Sequence, residues 1–173
     1  MEKDIKLKKK NLKVLKSTGK LTEDEYFIEL MNLEDDEMLC RINNFDEELK
    51  ETVIFDKNKH HDLMKTIGTM QRYNTEVAKA KRNRLKAQRY GDKIYNEKYE
   101  WLKRGNSQLQ MKSQRDYDVL IGKDSRFTRT KSYCETYDIL IKFLEEAIKQ
   151  LNTKVFAIQS MIKSEQYDTG PNY

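Results

Sequence analysis

The residues best equipped for chemistry lie between Lys79 and Gly105. Lys79, Lys81, Arg82, Arg84, Lys86, Arg89 and Lys93 meet a single acid, Asp92, and Tyr95, Lys98, Tyr99, Trp101, Lys103 and Arg104 then interleave rings with further cations. Such a mixture suits a single nucleic-acid strand, because ammonium and guanidinium groups neutralise phosphates while exposed rings stack on unpaired bases. The bland alternative is the solvated face of a long helix. Seven cations against one acid is not the mixed-sign pattern of a salt-bridged surface helix, and the only Trp of the chain falls in the same run.

Other chemistries find little support. His60 and His61 are neighbours that cannot share a metal from one helical face, and no Cys or acid cluster accompanies them. The acids Glu34, Asp35, Asp36 and Glu37 point in different directions on a helix or turn, so they read as a solvated acidic turn or as a patch competing with DNA for basic residues. Gly122-Lys123 lacks the upstream glycine and strand of a phosphate loop. No Ser, His and Asp constellation stands out, and Cys40 and Cys134 have no basic partner signature. The expectation is a nucleic-acid-binding or scaffold protein without a catalytic or metal site.

The elements that position the basic run follow from composition and periodicity. The chain has 173 residues, net charge +5, 36% charged and 37% hydrophobic residues, a single proline and six glycines. These values favour a charged, helix-rich chain over a turn-rich β fold. Two distant cysteines point to a reducing compartment, and no apolar run is long enough to span a membrane, so a soluble intracellular protein is expected. Residues 1–20 form a lysine-rich tail, expected to be disordered or weakly helical. Thr22 and Glu25 make a capping box for a short helix through Tyr26, Phe27, Leu30, Met31 and Leu33 that ends in the acidic group. Val53, Ile54 and Phe55 read as extended, with Asp56 as an N-cap.

From there a helical pattern runs to Arg104, with Leu63, Ile67, Met70 and Val77 on one stripe. Its length, roughly 70 Å, exceeds a compact domain of about 40 Å, so the helix must bend, break or project, with Gly68 and Gly91 the places where a break is expected. Gly105-Asn106-Ser107 and Gly122 to Ser125 signal turns flanking a weak helix that carries Leu109, Met111, Tyr117, Val119 and Leu120. The last element, Ser132 to Tyr167, is the best patterned. Tyr137, Ile141, Leu144, Ile148, Leu151, Val155, Ile158 and Ile162 alternate in steps of four and three, an a/d seam that needs an apolar partner. The seam is longer than the Leu63 to Val77 stripe, so part of it is expected to be shared between subunits of a homo-oligomer. The fold class expected is all-α, an elongated helical hairpin or bundle with a long central helix and a C-terminal heptad helix used for oligomerisation. Residues 1–43 form an extension and 44–170 the main domain, with the DTGPNY tail stopping the last helix.

The run from Tyr137 to Tyr167 resembles the UvsY family of recombination mediators of T4-like phages. Phe143, Leu144, Leu151, Phe156, Ala157, Ile158 and Ile162 fall where the family's C-terminal pattern has apolar residues. Glu47 to Asp56 is similar to the family's N-terminal ELK..V.ID, and Lys93 to Gly105 to its basic and aromatic segment. The likeness covers about Asp46 to Gly170 and leaves the first forty or so residues without a counterpart.

The resemblance implies a non-enzymatic protein that needs no cofactor, binds single-stranded DNA and assembles into a ring, of some six or seven identical subunits. It helps a phage recombinase displace the phage single-strand-binding protein, in recombination, repair and replication, in the cytoplasm of the infected bacterial host. By position, the family's DNA-binding segment maps onto Lys93, Lys98, Lys103 and Arg104. Asn96 and Glu97 depart from that pattern, and the denser cluster lies upstream at Lys79 to Arg89. The competing reading is a helical adaptor whose basic helix binds an acidic protein.

Overall fold

A computed structural model of the chain describes residues 2–106 and 113–168. Among these described residues five α-helices follow in order: α1 (Glu2–Ser17), α2 (Glu23–Val53), α3 (Lys59–Trp101), α4 (Gln114–Ile121) and α5 (Ser125–Asp168), with a π-helical turn, Leu102–Asn106, after α3. No strand occurs among the described residues, and the long central and C-terminal helices stand where periodicity places them. Ser107, Leu109, Met111 and the DTGPNY tail from Thr169 lie outside the described residues.

Several local expectations are corrected. The lysine-rich N-terminus is a helix, α1, ended by a left-handed Gly19 with φ +68°. There Lys20 N–H donates to the Leu15 carbonyl and Gly19 N–H to the Lys16 carbonyl, the paired bonds that close a Schellman turn. The capping box at the start of α2 forms as expected, with Thr22 N–H donating to Glu25 Oε2 at 2.8 Å and Glu25 N–H to Thr22 Oγ1 at 3.2 Å. The helix does not stop at the acidic group but continues to Val53. Asp56 is not the cap of α3. Asn58 takes that role, its Oδ1 accepting from His61 N–H at 3.1 Å, while Asp56 Oδ1 accepts from Asn58 N–H.

Neither glycine of α3 breaks it. Gly68 meets nothing within 4 Å, and Gly91 is a point of close approach, where an added Cβ would stand 3.2 Å from Thr130 Cγ2. The last helix begins at Ser125, seven residues before Ser132, immediately after the turn at Gly122.

The chain divides into two compact units, to both of which α2, α3 and α5 contribute. The first comprises residues 1–39 and 82–138. Its interior holds Ile5, Met31, Met38, Ala87, Tyr90, Ile94, Ile121, Tyr133 and Tyr137. The acids expected as a solvated turn or a competitor for DNA-binding cations instead fasten helices together: Lys9 bonds Glu34 and Glu37, Arg129 pairs with Asp35, and Tyr133 donates to Glu34. Near the start of α2, Asp24 accepts from Tyr90 at 2.7 Å and from Arg126 at 2.6 Å.

The second unit comprises residues 40–81 and 139–173. Here Leu140, Leu144, Ala147, Leu151 and Ile158 of α5 are buried with Leu49 of α2 and Tyr73, Val77 and Ala80 of α3. The buried face of α3 continues through Asp62, Thr66 and Thr69 rather than along the apolar stripe, so Leu63, Ile67 and Met70 lie on its flank, half-buried. Asp62 is compensated by Lys154, only 5% exposed, whose Nζ donates to Asp62 Oδ1 and to the Thr52 and Ile54 carbonyls at 2.6–2.7 Å. One ammonium thereby satisfies the end of α2, the turn after it and the first turn of α3.

Candidate nucleic-acid interface

At 3.6 residues per turn, positions three and four apart share a face. Arg82, Lys86, Arg89 and Lys93 therefore form one stripe along α3 in the first unit. All four are exposed, and successive members rise about 4.5–6 Å along the axis. The buried positions Ala87, Tyr90 and Ile94 lie beside this stripe, so their packing turns the cations outward. Among the described residues, Arg82, Lys86 and Arg89 have no ion-pair partner, and Lys93 has only Glu97 at 3.7 Å.

Other members of the basic run are already engaged. Arg84 lies on the flank facing α5, where Nη2 donates to Asp138 Oδ2 at 3.1 Å, and this hydrogen-bonded carboxylate holds the guanidinium more firmly in its charged form. Lys79 and Lys81 belong to the second unit, pairing with Glu76 and Glu145, each at 2.7 Å. Seven cations contiguous in sequence thus split into an open stripe and three that are bridged to acids.

The aromatic half of the run divides similarly. Tyr99 is half-buried, with its ring 5.0 Å from Tyr117 and 6.2 Å from Tyr95, centroid to centroid. Tyr95 donates to Asp118 at 2.6 Å, and that bond pushes its phenol pKa up. These rings join α3 to α4. Trp101 is 46% exposed, with Lys98 Nζ 4.7 Å above it. Lys103 Nζ lies 5.9 Å from the Tyr99 ring, and Lys103 and Arg104 are exposed in the π-helical turn. Asn96, Glu97 and Glu100 occupy the turns where the cationic stripe would continue, so positive charge is weaker toward this end.

The heptad seam of α5 is placed as follows. Tyr137, Ile141, Leu144, Leu151 and Ile158 are buried within the single chain, whereas Ile148, Val155 and Ile162 are half-buried. In the second unit Lys81 bridges Glu145, and Leu63, Ile67 and Met70 of α3 and Ile148, Val155 and Ile162 of α5 are all half-buried.

No family model and no curated protein matches this chain in sequence. The fold, however, is that of a solved protein. It is similar to the crystal structure of the bacteriophage T4 recombination mediator protein UvsY, with a TM-score of 0.61 over 74% of this chain and 98% of that one. Identity between UvsY and this chain is 12%, so the likeness is one of fold. Among the described residues, no helix is long and apolar enough to cross a membrane, and no group of three or more His, Cys, Asp or Glu is placed to hold a metal ion.

Sequence reasoning found the basic helix but missed the buried Lys154, whose position within a seam of Val, Ile and Leu was the available signal. It also missed Tyr26 and Phe27 as neighbours of the basic helix, since nothing local in the sequence joins residues some sixty positions apart.

Proposed function

We propose that this chain is a non-enzymatic recombination mediator that binds single-stranded DNA. The observation that carries the reading is the open stripe Arg82, Lys86, Arg89 and Lys93, extended by Lys98, Trp101, Lys103 and Arg104, on a fold shared with a recombination mediator. Phosphates along one strand bind the stripe, and the exposed Trp101 ring accepts a base of any kind. Several chains associate through the half-buried aliphatic side chains Ile148, Val155 and Ile162 of α5, with Leu63, Ile67 and Met70 of α3. The fully buried members of the seam hold each protomer together. A strand held by one copy is then at high effective concentration for the next, so weak contacts sum to a stable wrap.

In this reading the ring of identical copies presents the strand to a phage recombinase and helps it replace the phage single-strand-binding protein, in the cytoplasm of the infected bacterial host. Titration of labelled single-stranded and duplex oligonucleotides across a salt series tests the proposal. Tight, steeply salt-dependent binding to the single strand with weaker binding to duplex supports it. No binding to either overturns it in favour of the adaptor reading.

A further inference from the structure

A cleft of about 230 Å³ in the first unit opens between α2 and α3 beside the cationic stripe. We infer that it holds one nucleobase of the bound strand, an inference that rests on the single-strand reading. Its walls are apolar and aromatic, with Tyr26, Phe27 and Leu30 of α2 on one side and the small Ala87 of α3 leaving the space open on the other. Phe27 is itself backed by Tyr90, the two rings stacked at 4.4 Å and 13°, so the wall is rigid. Lys86 stands at the mouth and belongs to the stripe as well. A phosphate bound to its ammonium therefore brings its own base to the opening.

The cleft also carries polar groups. Asn83 Nδ2 donates one N–H to Tyr137 Oη at 3.2 Å, which leaves the amide's second N–H and its carbonyl available. Tyr137 and Tyr133 hydroxyls lie 3.2 Å apart, and Tyr133 donates to Glu34, whose carboxylate also accepts from Lys9 at 3.3 Å. This chain of bonds fixes Asn83 and Glu34 in place, and the Asn83 amide keeps an N–H and its carbonyl for the polar edge of a base. An apolar ligand would leave that amide unpaired, which is costly.

The test compares an oligo(dC) strand with an abasic strand of equal length, using the full chain and two variants at the cleft wall. Tyr26→Ala removes a wall and Leu30→Trp fills the space. Wild type is expected to prefer oligo(dC), and each variant to reduce that preference at least about fivefold, the lower end of a base–ring contact, while affinity for the abasic strand is unchanged. An unchanged preference in both variants overturns the cleft assignment and leaves single-strand binding standing. Failure of wild type to bind either strand overturns the two together.

Discussion

Two double variants separate the stripe from mere positive charge. Arg82→Ala with Arg89→Ala, and Lys81→Ala with Arg84→Ala, each remove two cations from a chain of net charge +5. The first pair comes from the open stripe, whereas the second is bridged to Glu145 and Asp138 of α5. Each phosphate neutralised on a single strand contributes about 0.7 to the slope of log affinity against log salt, so four stripe cations give a slope near −2.8 per chain and two give about −1.4. Between 50 and 200 mM salt, the stripe then contributes about a 50-fold loss of affinity in wild type and about a 7-fold loss in the stripe variant. The bridged variant is expected to track wild type, because its cations were already neutralised by protein carboxylates. Fluorescence anisotropy of a labelled oligonucleotide across the salt series reads both slopes. Equal loss of slope in the two double variants would refute the geometric argument, since net charge alone would then set the binding.

Three further outcomes follow from the packing. Lys154→Met should destabilise the second unit by about 3–5 kcal/mol, because Asp62 is left as an uncompensated buried charge and two carbonyls lose their donor. Chemical denaturation measures the loss, and Lys154→Met combined with Asp62→Asn should recover part of it. The hydrogen bond from Tyr90, together with Arg126, holds the Asp24 carboxyl below its ordinary value, and the same arginine does so for Asp124. Lowered carboxyl pKa values mean the unfolded chain binds more protons in acid. Their stabilisation is therefore complete above the ordinary carboxylate value of 3.8 and is lost as pH falls through the lowered folded values. Tyr90→Phe should shift the acid unfolding midpoint, followed by circular dichroism, to higher pH. Ile148→Asp, at a half-buried position, should yield smaller species by light scattering with helicity retained, whereas Leu151→Asp, at a fully buried one, should unfold the chain.

The helical class, the capping box at Thr22 and Glu25 and the periodicity of α5 were legible because each depends on residues within a few turns of one another. The open stripe was legible only as a cluster. Sequence spacing shows that Arg82, Lys86, Arg89 and Lys93 share a face, but not that α5 supplies Asp138 and Glu145 to Arg84 and Lys81. Burial of Asp62 was hidden for the same reason, since its ammonium partner is 92 residues away. The acidic group of α2 was misread because charge alone does not say whether Lys9, Arg129 and Tyr133 will meet it. Gly91 looked like a break because a glycine weakens an isolated helix, yet the close approach of Thr130 gives it a packing reason.

The measurement that bears most directly on the central claim is the mass of the full chain in solution, by light scattering, with and without a single-stranded oligonucleotide. The account predicts an assembly of several copies that gains the mass of the strand and loses it again in high salt. A stable monomer at micromolar concentration that gains no mass with the oligonucleotide would contradict it.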